Sequence, residues 1–206
     1  MIVPAESSSF VARLQQSIAG RNPAAIEEIE ARRAAVAIIA TRDGEPSLLF
    51  IKRQERDTDP WSGHVAFPGG FRSDPGELPA DTARRETFEE TGLDLSRTGE
   101  PLGLLDDIYP RSVRLPKVVV TPCVFAVPGR LPVAAGGEVD QVLWLPVREI
   151  FDPANRKPYL LTLPDGDRTF DSIHVGGLTV WGLTERILQQ VAFLTGLDGK
   201  GGQSTI

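Results

Sequence analysis

Apolar positions along this chain change period several times, and each change marks an element. Phe10, Val11, Leu14 and Ile18 recur every three to four residues behind the serines at 7–9, which predicts an amphipathic helix over 7–19 that Gly20 ends. Residues 23–31 are polar, with Pro23 near their start, and read as a partly helical connector. Dense apolar runs at 34–40 and 47–53 flank the turn-forming Arg42-Asp43-Gly44-Glu45-Pro46, predicting a hairpin whose first strand is buried on both faces. A polar stretch over 53–63 gives way to Val65-Ala66-Phe67, which delivers the chain to Pro68-Gly69-Gly70. Further strands are expected at 101–105, 117–127 and 139–145, the last closed by Pro146 and followed by a short helix over 147–151. The loop over 106–116 carries Tyr109, Arg111 and Arg114. Short strands at 159–163 and 173–175 precede an amphipathic helix over 180–194. Its inner side is Leu183, Ile187, Leu188, Val191 and Leu194, with Thr184-Glu185-Arg186 on the wet side. Strands and helices alternate irregularly, so the pattern predicts an α/β fold with a mixed sheet between helices.

Composition narrows the picture. A chain of 206 residues with 41% hydrophobic content can bury one good core. The expected organisation is a helical extension over 1–33, a main domain over 34–196 and a Gly-rich, flexible tail over 197–206. A net charge of -6 argues against binding nucleic acid through a broad basic surface, which needs clustered Lys and Arg. It leaves room for a small phosphorylated ligand held by a few arginines. The single cysteine, Cys123, lies in a strand-like apolar run and reads as inert packing. No segment has the apolar length of a membrane span and no signal-like pattern opens the chain, so the expectation is a soluble cytoplasmic protein without membrane partners.

Candidate chemistry concentrates between Gly69 and Leu93, where a glycine-rich turn runs into a short helix ending at Gly92. Acidic side chains favour the first turn of a helix, as Asp81 does. Glu86, Glu89 and Glu90 instead crowd the last turn, and Glu86 and Glu90 are like charges at i,i+4. Such a violation points to a compensating cation. Three carboxylates on one helical face form an oxygen-rich set suited to Mg²⁺ or Mn²⁺. Arg85, four residues before Glu89, can orient that carboxylate, and Glu77 can cap the helix or reach the metal. The Gly69-Gly70 turn lets the backbone approach a ligand.

Gly70, Glu77, Arg85-Glu86, Glu89-Glu90 and Gly92-Leu93 together resemble the Nudix box, the signature of hydrolases acting on a nucleoside diphosphate linked to another moiety. Two departures stand out. Six residues, not five, separate Gly70 from Glu77, and Thr87 fills a usually aliphatic slot. The resemblance implies an α/β/α sandwich around a mixed sheet, with the box as a loop-helix-loop catalytic motif. It also implies Glu86, Glu89 and Glu90 as metal ligands, Glu89 as the best candidate for catalytic base, and Arg85 as its orienting partner. Glu138, opening a later Glu-to-Trp-Pro strand similar to the family's, is a further candidate metal or water contact beside its plainer reading as a strand-edge carboxylate. A homodimer is consistent with the resemblance.

The box sets the chemistry and leaves the substrate open. Gly63-His64-Val65-Ala66-Phe67-Pro68-Gly69-Gly70, the extra loop residue and Val180-Trp181-Gly182-Leu183-Thr184 are similar to the coenzyme A pyrophosphatase branch. Trp61 stands where that branch has His, and His64 replaces its Gln. Coenzyme A is therefore the first expected substrate, yielding 4'-phosphopantetheine and 3',5'-ADP, and ADP-ribose or another nucleoside diphosphate sugar the second. A silent nucleotide-sensing module and an RNA-decapping enzyme are the competing classes. Arg53, Arg56, Arg111 and Arg114 are candidates for phosphate contacts, and Trp61 and Tyr109 for stacking a base, each with surface or packing duty as the plainer reading. His64 and His174 form no metal-spaced pair.

Overall fold

A computed structural model describes residues 9–55, 63–110, 117–163 and 166–198. Ser7 and Ser8, Arg56, Trp61, Arg111, Arg114 and the tail over 199–206 lie outside the described residues.

The first helix, α1 (Phe10–Ile18), starts where Ser9 accepts the Ala12 N–H, and buries Phe10, Val11, Leu14 and Ile18. The central strand is β1 (Arg32–Thr41). It pairs antiparallel with β2 (Ser47–Arg53) and parallel, over its whole length, with β6 (Val118–Val127). The short strand β3 (Val65–Ala66) adds to β2, as does β7 (Val139–Pro146), while β4 (Gly69–Phe71) pairs with β1 and β5 (Glu100–Leu104) with β6. The sheet is mixed, as expected, and has seven strands. Helix α2 (Pro79–Thr91) carries the acidic run; the short helix α3 (Leu95–Thr98) follows it and leads into β5, and the short helix α4 (Val147–Ile150) directly follows β7. A separate antiparallel sheet contains β8 (Arg156–Leu163), β9 (Gly166–Val175) and β10 (Leu178–Trp181), and leads into α5 (Gly182–Thr195).

Alternation along β1 assigns the layers. Ala35, Ala37 and Ile39 pack with Ala83 of α2, Leu49 and Phe125. Ile38 and Ala40 face the other way, into a larger core with α1, α5 and the apolar residues of β9 and β10. The result is an α/β/α sandwich in which both faces of β1 are buried, as its unbroken apolar run requires. Cys123 is buried in β6, and that burial pushes its thiol up to about 12, so it remains a protonated packing group.

Three expectations need correction. Residues 23–31 contain no helix, because the carboxylates of Asp106 and Asp107 take the N–H groups of Ala24 and Ile26 at 2.9 and 3.0 Å and hold the segment irregular. The last helix begins at Gly182, since Val180 and Trp181 belong to β10. Its supposed wet side is largely buried: Thr184 and Glu185 are 7% and 2% exposed, and only Arg186 is exposed. Glu185 turns inward because Arg156 Nη1 donates to it at 3.0 Å and Gln189 Nε2 at 2.8–2.9 Å. This pair ties β8 to α5. Removing the cation leaves a buried carboxylate uncompensated, so Arg156→Ala is expected to cost about 3 kcal/mol. Thermal denaturation should show a Tm about 6–12 °C lower; a drop under 2 °C would mean that Glu185 finds another partner.

Candidate active site

Helix α2 is built to present its last turn. Pro79 sits in its first turn, Asp81 complements the positive helix end, and Gly92 ends it at φ 69°, a left-handed conformation glycine adopts without strain. Its buried face carries threonines where aliphatic residues would serve. Thr87 Oγ1 donates to the Ala83 carbonyl and Thr91 Oγ1 to that of Thr87, each at 2.6 Å. With the hydroxyl spent on the helix's own backbone, Thr87 has its polar group satisfied in the core. The C-terminal end of the helix is gripped by the loop that precedes β7. Ala134 N–H and Gly136 N–H donate to the carbonyls of Thr91 and Glu90, both at 3.0 Å. A Cβ on Gly136 would stand 2.5 Å from the Glu89 carbonyl oxygen, so only glycine fits there.

Arg85 organises the acidic turn. Its Nε and Nη2 donate to the two Glu77 oxygens at 3.0 and 3.3 Å, Nη2 also to the Phe71 carbonyl at 2.9 Å, and Nη1 to Glu86 Oε1 at 2.7 Å. Glu89 Oε2 lies 3.5 Å from Nη1, the expected i,i+4 relation. Glu77 is thus an anchor for Arg85 and not a helix cap; the N-cap is Leu78, whose side chain bonds nothing. The Arg85 fork, with the Ser73 N–H at 2.7 Å, holds the Glu77 carboxyl down at about 2. The same contacts raise the Arg85 guanidinium above its usual range, so this pair stays ionised.

Glu90 has the opposite environment. It is 9% exposed, and its Oε2 accepts the Gly69 N–H at 2.9 Å. Burial raises its pKa to about 7 against that hydrogen bond, with the charges of Glu86 and Glu89 adding to the rise and Arg53 opposing it. The glycines delivering this contact form no turn: Gly69–Phe71 is strand β4 along β1. Gly69 is required because a Cβ would run into the Ala35 carbonyl and stand 2.6 Å from Val36 Cα. Gly70 leaves room for the Glu86 carboxyl where it stands, since a Cβ would come within 2.5–2.6 Å of that flexible side-chain end.

The remaining candidates are placed more widely. Arg53 lies close enough for its charge to act on Glu90, and its Nη2 is 3.4 Å from Glu138 Oε2 at the edge of β7. Tyr109 stands against α5, where its carbonyl accepts from Arg186 at 3.2 Å. His174 is in β9, its Nε2 3.0 Å from Ser172 Oγ.

Glu86, Glu89 and Glu90 therefore share one helix end, yet among the described residues no three Asp, Glu, His or Cys groups stand close enough to hold one ion. Glu86 is drawn to Arg85 and Glu90 to Gly69. The donor set itself fits a hard divalent cation: oxygen ligands only, crowded negative charge that raises the Glu90 pKa, and a glycine keeping the space beside Glu86 open.

Comparison with known proteins agrees with this geometry. The NUDIX domain family model matches residues 31–163. Nudix hydrolase 3 of Caenorhabditis elegans is 31% identical over 208 residues, spanning 92% of this chain and 84% of that protein. The human mitochondrial coenzyme A diphosphatase NUDT8 is 32% identical over 139 residues, 64% of this chain and 56% of that one. An uncharacterised protein of Schizosaccharomyces pombe is 37% identical over 112 residues, 52% of this chain and 34% of its own length. The chain thus spans between about a third and five-sixths of these relatives. With the family model covering well over half of the chain, this protein belongs to the Nudix hydrolase family of pyrophosphohydrolases.

Proposed function

We propose that the chain hydrolyses the pyrophosphate bond of coenzyme A or a close derivative, releasing 4'-phosphopantetheine and 3',5'-ADP, with Mg²⁺ or Mn²⁺ held by Glu86, Glu89 and Glu90. The observation that carries the reading is the Arg85 fork, which pins Glu77 and Glu86 and reaches Glu89, while Gly69 fixes Glu90. When bound, the cation would polarise the pyrophosphate and make an attacking water more acidic. Glu89, more than half exposed and hence within reach of that water, accepts its proton at the carboxylate. Arg85 orients Glu89 and Glu86, and Arg53, beside Glu90, is the nearest described candidate for a phosphate contact. Coenzyme A as substrate is supported by the lead-in over 63–70 and by similarity to a coenzyme A diphosphatase.

The test is a panel of coenzyme A, acyl-coenzyme A, ADP-ribose, NADH, diadenosine polyphosphates and dNTPs, each with Mg²⁺ and with Mn²⁺. Coenzyme A should give the highest kcat/KM. Faster turnover of ADP-ribose would shift the assignment to a nucleoside diphosphate sugar, and no turnover of any member by folded protein would indicate a sensing module. Metal binding has its own readout. Saturating Mn²⁺, at about a hundred times its Kd, should stabilise the fold by about 2.7 kcal/mol, seen as a rise in Tm. An unchanged Tm would sink the carboxylate site.

A further inference from the structure

We infer that Tyr159, Phe170 and Trp181, with His64 edge-on to Trp181, form a stacking site for the nucleobase of the substrate; this rests on the nucleotide reading above. Four rings from four separate stretches meet here. Trp181 is the hub, its centroid 4.7 Å from His64, 4.9 Å from Tyr159 and 5.2 Å from Phe170, at interplanar angles of 65°, 36° and 51°. Strand register shows which face they occupy. Tyr159 is opposite Phe170, and Trp181 is opposite Ser172, so all three rings lie on the same face of the three-stranded sheet. Ile173, Val175 and Val180 fill the other face and are 0–3% exposed in the main core. The core is therefore closed without the aromatic group. The four rings remain partly exposed, unlike Phe50 and Phe125, which are 0% and 1% exposed. Partly exposed rings grouped on a face with no core to fill are a surface suited to a flat heteroaromatic ligand.

The position matches the reaction centre. The His64 carbonyl accepts the Arg53 N–H at 3.0 Å, and the Arg53 charge reaches Glu90. His64 is five residues before Gly69, which holds Glu90, so the backbone between them spans at most about 18 Å. A nucleotide with phosphates near Arg53 and Glu90 can thus lay its base toward Trp181. His64 and Trp181 are also the residues around which two unrelated sequence features, the lead-in and the opening of the last helix, are built. Their contact in space gives both features one role.

Two probes separate base from phosphate: ADP and inorganic pyrophosphate, titrated by calorimetry into the full chain with Ca²⁺. Trp181→Leu should weaken ADP about tenfold and Trp181→Phe less than about threefold, with pyrophosphate unchanged for both. Tyr159→Ser, on the outer face, provides a second variant should Trp181→Leu fail to fold; it should weaken ADP about threefold to fivefold at unchanged Tm. Wild-type ADP affinity in the folded variants, equal loss of ADP and pyrophosphate, or no ADP binding by the unaltered chain would each overturn the stacking site. If coenzyme A is not hydrolysed but ADP affinity still depends on Trp181, the substrate assignment falls and the stacking site stands.

Discussion

Glu89→Gln should lower kcat by about 10²–10⁴-fold while leaving the Tm within about 2 °C of the unaltered chain. The size follows from removing a group that must accept a proton in the transition state. The stability follows from position. More than half of the Glu89 side chain is exposed, and its closest described ionic partner, Arg85 at 3.5 Å, keeps its shorter bonds to Glu77 and Glu86. The amide is nearly isosteric, so the helix end and the loop at 134–136 should be undisturbed. Two measurements separate the possible roles. If Mn²⁺ affinity is retained and kcat falls, Glu89 acts as the base. If Mn²⁺ affinity falls in proportion, it acts chiefly as a ligand. Near-normal turnover would move the base elsewhere, with Glu138 beside Arg53 the next group to replace.

Much of this arrangement is legible in the sequence because its signals are local. Helical period, Gly92 at the helix end and the spacing of Glu86, Glu89 and Glu90 each depend on a few neighbouring residues, and the structure has all three in place. What the sequence obscures is set by distant partners. Glu185 looks like a solvated residue until Arg156, far away in the chain, is seen to pair with it. Residues 23–31 have a helical composition, but Asp106 and Asp107 claim their backbone donors. Glu77 resembles a helix cap by position and serves instead as the counter-ion of Arg85. The aromatic group around Trp181 had no sequence signal as a group, since its members are spread over three strands and a loop. A Gly-Gly pair reads as a turn by default, and here it is a strand whose missing side chains make room for β1 and for Glu86.

That last distinction yields a pair of variants with opposite outcomes. Gly69→Ala places a methyl against the Ala35 carbonyl and 2.6 Å from Val36 Cα, both part of the central strand, so the backbone must move. A cost of about 3 kcal/mol is expected, with a Tm lower by about 6–12 °C. Gly70→Ala meets only the end of the Glu86 side chain, at 2.5–2.6 Å, which can swing aside without disturbing the fold. Its Tm should change by less than 2 °C, yet Glu86 leaves its place beside Arg85, and Mn²⁺ affinity or kcat/KM should fall by about 10–100-fold. The two adjacent methyls therefore separate stability from chemistry. Wild-type metal affinity and turnover in Gly70→Ala would show that Glu86 works from more than one position, and would remove it from the metal set proposed for this site.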